Sequence, residues 1–72
     1  MKLGVDTMSD FRSRLFDEYG ELQRRIDELK TFIIGDQYDG LPDVDRTDLK
    51  AQLKHMEAYA EVLSRRVSRQ CT

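Results

Sequence analysis

A short polar stretch between two long helical segments constrains the fold more than any other feature of this sequence. The stretch, GDQYDGLPDVDRTD from Gly35 to Asp48, holds the only proline, two of the four glycines and five aspartates. The segments on either side carry apolar residues at helical spacing and contain no proline. A polar break between two such segments is typical of two antiparallel helices joined by a bend.

The segment before the bend has one apolar stripe, typical of an amphipathic helix. Its members are separated by steps of three, four and seven residues: Phe11, Leu15, Leu22, Ile26, Leu29 and Ile33. The pattern predicts a helix over about 9–34, preceded by a flexible lead over 1–8. Gly35 is predicted to cap this helix in the left-handed conformation, which glycine adopts without steric penalty.

The segment after the bend has an unbroken heptad pattern. Its apolar residues are Leu49, Leu53, Met56, Ala60, Leu63 and Val67. Pro42 suits the start of a helix, and the aspartates that follow it complement the positive end of the helix dipole. The sequence therefore predicts a bend over 35–42 and a second helix over about 43–69. Together these elements form an all-α, antiparallel two-helix hairpin as a single domain over 9–70.

A single hairpin of this size has a small core. A chain of 72 residues buries only about 60% of the surface that its unfolded form exposes, and its single cysteine cannot form an internal disulfide. Several apolar side chains also fall outside the two stripes and would be exposed, which usually marks an interface. We expect self-association into a dimer or larger helical bundle, through an interface formed by Phe16, Phe32, Met56 and Val62. The alternative is that these residues widen the contact within one chain.

The overall charge and hydropathy exclude several classes of protein. Charged residues make up 36% of the chain, but the net charge is only -2, so no global field attracts nucleic acid. The N-terminal residues lack the apolar core of a signal peptide, and no apolar run is long enough to span a membrane. We therefore expect a soluble cytoplasmic protein without nucleic-acid or membrane partners.

No group of residues forms a catalytic or metal signature. His55 has no serine or cysteine at a helical spacing that would form a dyad. Asp43, Asp45 and Asp48 resemble the opening of a calcium loop, but the required glycine is missing and Lys54 replaces the bidentate glutamate. Helix capping explains these aspartates without a metal. We expect no enzymatic activity, no cofactor and no metal site.

The arginines near the end of the second helix suggest an anion site. In an antiparallel hairpin, Arg65, Arg66 and Arg69 return beside the start of the first helix. Arginine forks suit phosphates and aromatic faces suit nucleobases, so these arginines, with Tyr59 or Tyr19 stacking on a base, would bind a nucleotide-like ligand. The alternative is that the arginines only complement the negative end of the helix dipole.

The chain also resembles a group of small proteins encoded by phages and prophages. The string QLKHMEAYAEVLSRRV, after ELQRRIDELKTFI and a short acidic bend, carries the resemblance, which extends from Arg14 to Val67. The matching positions are Leu22, Leu29, Phe32, Ile33, Leu41, Gln52, Met56, Tyr59, Leu63, Arg66 and Val67. The resemblance implies a phage accessory protein that acts in the bacterial cytoplasm. Small proteins of this kind often counter host defences.

Two functional hypotheses follow. The first is a non-enzymatic protein that counters bacterial defence by sequestering a nucleotide-like anionic signal in an oligomer. The second is a protein-interaction module, either an adaptor or an inhibitor, that docks on a host defence protein or a phage protein through Phe16, Tyr19 and Phe32.

Overall fold

Two long helices and one short helix make up the structure. The computed structural model describes the backbone of residues 3–71 and the side chains of residues 10–70. Within these residues the elements are α1 (Leu3–Ile33), α2 (Asp36–Asp39) and α3 (Asp43–Cys71), and there is no strand. The prediction of an all-α chain is confirmed.

Polar contacts between α1 and α3 show the relative direction of the two long helices. Near one end of the molecule, Arg12 Nε donates a hydrogen bond of 3.2 Å to Gln70 Oε1. Towards the other end, Lys30 Nζ lies 3.3 Å from Glu57 Oε2. Positions early in α1 thus contact positions late in α3, so the two helices run antiparallel. The result is an elongated molecule of 55 × 22 × 17 Å.

The core lies between α1 and α3 and consists of residues from both apolar patterns. The buried cluster contains Leu15, Leu22, Ile26, Ala60 and Leu63, and Tyr19, Leu53, Met56 and Val67 pack against it. Leu63 is fully buried. The heptad pattern of α3 therefore identified its core face correctly. Phe11 departs from the α1 stripe because it is 43% exposed.

The bend is more ordered than the sequence suggests, since the short helix α2 lies within it. Gly35 precedes α2 with extended dihedral angles, φ -93° and ψ 172°, so the predicted left-handed cap is wrong. The Gly35 N–H donates to the Phe32 carbonyl at 3.1 Å, and the chain then enters another helical turn instead of reversing at the glycine. Tyr38 on α2 is buried. Its hydroxyl donates to the Arg46 carbonyl at 3.1 Å, which fixes α2 against the start of α3.

The first long helix begins earlier, and the second ends later, than the sequence predicts. α1 begins at Leu3, within the stretch 1–8 predicted as a flexible lead, where no proline interrupts a helix. Residues 1 and 2 lie outside the described part of the chain.

Gly20, in the middle of α1, is exposed, and a Cβ atom built on it would meet nothing within 4 Å. Gly20 therefore does not mark a close helix crossing.

None of the described helices combines enough length with enough apolar character to cross a membrane.

Candidate functional site

An exposed surface along one edge of the helix pair brings Tyr59 and Arg66 together. The two residues are seven positions apart on α3, almost two full turns, so they project from the same side of the helix. The Arg66 guanidinium carbon lies 5.8 Å from the centroid of the Phe11 ring on α1. Glu18 of α1 contacts Tyr59, and Val62 lies one turn along α3. We call these five residues the Tyr59 surface.

The Tyr59 surface exposes two aromatic side chains and one aliphatic side chain. Phe11 and Tyr59 are each 43% exposed, and Val62 is 40% exposed. Contiguous apolar area of this kind on a small protein usually marks a binding surface. The surface therefore fits a ligand or another chain.

Arg66 is the cation of this surface. Its side chain is half-buried and stacks over the Phe11 ring, a favourable cation–π arrangement. Within residues 10–70, no carboxylate forms an ion pair with Arg66. The planar fork of its N–H groups is well suited to bind two oxygens of a phosphate or carboxylate.

A hydrogen bond between the two helices orients Tyr59. Its hydroxyl donates to the Glu18 carboxylate. This hydrogen bond raises the pKa of Tyr59, as do partial burial and the negative charge of Glu18, whereas the positive charge of Arg66 acts in the opposite direction. The phenol therefore remains a neutral hydrogen-bond donor at physiological pH.

The raised pKa of Tyr59 makes the stability of the protein depend on pH in the alkaline range. The folded-state pKa lies above the unfolded-state value, so the stabilisation by the Tyr59–Glu18 hydrogen bond is fully present at neutral pH. It is lost as the pH rises through the folded-state pKa. We expect wild-type stability above pH 10 to fall more steeply than that of Tyr59→Phe, as measured by urea unfolding at matched pH. Parallel curves for the two proteins would contradict this assignment.

A groove continues from Tyr59 towards the bend. It has a volume of 560 Å³, within the range of small-molecule sites, but it is open along one side. Its lining comes from both long helices: Leu22, Arg25, Glu28, Leu29, Gln52, Met56 and Tyr59. Arg25 Nε lies 3.2 Å from Glu21 Oε2, so this arginine is already partly neutralised. Arg66 is therefore the better candidate for binding an anion.

The second tyrosine that the sequence singled out lies elsewhere. Tyr19 lines a smaller groove of 310 Å³ together with Gln23, Lys30, Glu57 and Ser64, among others. This groove and the Tyr59 groove lie along opposite sides of the contact between α1 and α3. Within one chain, a ligand stacked on Tyr59 cannot also contact Tyr19.

The three predicted arginines also project in different directions. Arg65 lies about 120° around the helix from Tyr59, where its Nη1 is 3.5 Å from Glu61 Oε2. Arg69 lies about 80° from Tyr59. Of the three, Arg66 lies nearest to Tyr59 around the helix, about 20° away.

The predicted interface residues are likewise dispersed. Val62 is on the Tyr59 surface. Met56 is half-buried and packs on the core, and Phe32 is also half-buried. Phe16 is 41% exposed but lies on the same side of α1 as Tyr19. The sequence reasoning did not identify Glu18 or Phe11 as parts of the candidate site.

The Tyr59 surface carries groups that are suited to binding. It offers one arginine fork, two aromatic rings and one carboxylate. Among the described residues, no group of three or more His, Cys, Asp or Glu side chains could hold a metal ion. An anion with an attached ring would find complementary groups here without any further cofactor.

Comparison with known proteins supports a binding role. No curated protein and no solved structure matches the chain. A family named Sequestin matches residues 9–69, which is most of the chain. The name is compatible with sequestration of a molecule and with a non-catalytic function. On the extent of this match, the chain belongs to the Sequestin family.

Proposed function

We propose that this protein is non-enzymatic and sequesters a nucleotide-like anionic molecule at contacts between copies of the chain. The observation that carries the proposal is Arg66, half-buried over Phe11 and without a carboxylate partner in the described residues, beside the exposed ring of Tyr59. Arg66 would bind a phosphate, and Tyr59 would stack on a base. Sequestration needs no bond-making chemistry, only tight and stoichiometric binding.

A second copy of the chain is part of this proposal. Small-molecule sites usually bury most of the ligand surface, but the groove beside Tyr59 is open. Association of two or more hairpins into a helical bundle would cover the exposed side chains of Phe11, Tyr59 and Val62 and enclose the ligand. Tyr19 and the other predicted arginines, Arg65 and Arg69, would then contribute from a neighbouring copy.

The biological setting of the proposal comes from the resemblance to small phage proteins. A phage that removes a nucleotide signal from the host cytoplasm would prevent a bacterial defence system from being activated. The Sequestin family name supports the sequestration part of this proposal.

The matched variants Arg66→Ala and Arg65→Ala test the role of the arginines. We expect at least one member of a panel of mono-, di- and cyclic ribonucleotides to raise the melting temperature of the wild type. Arg66→Ala should weaken that binding by about 10- to 100-fold, because a hydrogen bond to a charged group contributes roughly 1.5–3 kcal/mol. Isothermal titration calorimetry measures the dissociation constants.

The control Arg65→Ala removes the same charge from the same helix, but on a side that faces away from Tyr59. If Arg65 contributes from a neighbouring copy, its loss should weaken binding less than the loss of Arg66. Circular dichroism should show unchanged helicity for both variants. Unchanged affinity in Arg66→Ala would refute the proposed site.

The rival hypothesis, docking on a host or phage protein, requires Phe16, Tyr19 and Phe32 to form one surface. Phe16 and Phe32 are sixteen residues apart on α1, which places them about 160° apart around the helix. This separation gives the rival less support than the proposed binding site. Phe16→Asp distinguishes the two, because the rival requires loss of protein capture, whereas our proposal requires nucleotide binding to persist.

A further inference from the structure

We infer that Glu18 determines which group of a ligand can lie beside Tyr59. A neutral hydrogen-bond donor is accepted at this position, whereas a phosphate is repelled. The surface would thus select nucleotides over inorganic polyphosphates. This inference rests on the proposed function, since it concerns the same site, and it adds a determinant of ligand selectivity.

The geometry around Tyr59 supports this role. The Glu18 carboxylate lies on the opposite helix and accepts a hydrogen bond from the Tyr59 hydroxyl. Within residues 10–70, no arginine or lysine forms an ion pair with Glu18. An ionised carboxylate has about four acceptor positions and no donor. After it accepts the hydrogen bond from Tyr59, it therefore still offers acceptors to a neighbouring N–H or O–H group.

The Tyr59 surface consequently carries opposite charges at its two ends. Arg66, on the side of Phe11, offers donors and a positive charge, whereas Glu18, beside Tyr59, offers acceptors and a negative charge. Arg66 and Tyr59 are about 10 Å apart along the helix axis. A ligand that contacts both Arg66 and Glu18 therefore needs an anionic group beside Arg66 and a hydrogen-bond donor beside Glu18.

A nucleotide has this distribution of groups, and a polyphosphate does not. A nucleotide carries phosphate at one end and base amino groups or ribose hydroxyls at the other. Inorganic triphosphate carries acceptor oxygens and negative charge along its whole length. Part of it would approach Glu18, where no hydrogen bond can form and the two charges repel.

The variant Glu18→Gln tests the inference, with Asp17→Asn as its control. Both changes remove one negative charge from neighbouring positions of α1, and glutamine can still accept a hydrogen bond from Tyr59. Asp17 is exposed, and helical geometry directs it away from α3. Any effect of net charge alone on the affinity for triphosphate should therefore be the same in both variants.

The ligands are ATP and inorganic triphosphate, which share a triphosphate group and differ in the nucleoside. We expect Glu18→Gln to bind inorganic triphosphate about three- to tenfold more tightly than the wild type at equal ionic strength. The ratio of the dissociation constant for triphosphate to that for ATP should fall by a similar factor. Asp17→Asn should remain within about twofold of the wild type, and adding Arg66→Ala to Glu18→Gln should abolish the gain.

The outcomes separate this inference from the proposed function. If Glu18→Gln gains no more triphosphate affinity than Asp17→Asn, the role of Glu18 is refuted, even where the wild type binds a nucleotide. If Glu18→Gln shows the gain but the wild type binds no ribonucleotide from the panel, Glu18 still repels phosphate, but the proposed function fails and the selection of nucleotides fails with it.

Discussion

Replacing Leu63 with alanine is expected to destabilise the protein by about 2–5 kcal/mol. Leu63 is fully buried in the cluster between α1 and α3, so its truncation leaves a cavity that neither helix can easily fill. A chain of 72 residues has a total stability of roughly 4–11 kcal/mol. The loss is therefore a large fraction of the total stability, and the midpoint of urea unfolding should fall markedly. Urea unfolding followed by circular dichroism, at one fixed protein concentration, measures the loss.

The control for this prediction is Val44→Ala. Val44 is 68% exposed and lies far from the Tyr59 surface, so its truncation should cost well under half as much as that of Leu63. Equal losses for the two variants would mean that the interface between α1 and α3 does not hold the fold together.

Replacing Val62 with aspartate is expected to have the second large effect, which is loss of self-association. Val62 lies between Tyr59 and Arg66 on the surface that we propose is covered by a second copy. Burying an unpaired carboxylate at such a contact costs several kcal/mol, which corresponds to at least a hundredfold loss of affinity. Sedimentation velocity should show a shift from oligomer to monomer, while circular dichroism shows retained helicity.

Val44→Asp provides a matched control because it makes the same change at another exposed valine. Val44 is 68% exposed and lies at the start of α3, near the bend and far from the Tyr59 surface. This variant should retain the oligomeric state of the wild type. Dissociation by Val44→Asp with no effect of Val62→Asp would place the interface at the bend instead.

The two long helices could be predicted from the sequence because their core positions repeat at helical spacing. The heptad from Leu49 to Val67 extends over several turns, and a one-residue error would move every member off the core face. The buried residues of α3, Ala60 and Leu63, lie in this pattern. Phe11 was the exception in α1, because its ring lies under the guanidinium of Arg66 at the edge of the helix pair and not in the core.

The structure of the bend was harder to predict. α2 contains only four residues, too few for a periodic signal, and it is fixed by the burial of Tyr38. That contact depends on tertiary packing against α3. The left-handed cap predicted at Gly35 does not form, because the chain enters a further helical turn directly after this residue.

The candidate site could be predicted only in part. Tyr59 and Arg66 were singled out because both lie towards the end of one helix, whereas Glu18 is far away in sequence. A signal for Glu18 was nevertheless present, because positions 18 and 59 are equally far from the middle of the predicted bend 35–42. Antiparallel helices bring such positions side by side. Helical geometry also separates Arg65 from Arg66 on α3 and Tyr19 from Glu18 on α1, because neighbouring residues of a helix project about 100° apart.

The central claim is that copies of this chain assemble and hold a small anionic molecule between them. Native mass spectrometry tests it most directly, on protein purified gently from bacterial cells and again after incubation with the ribonucleotide panel. We predict an oligomer that carries extra mass, which is released on denaturation and absent from Arg66→Ala. A monomer that gains no mass from any member of the panel would contradict the claim.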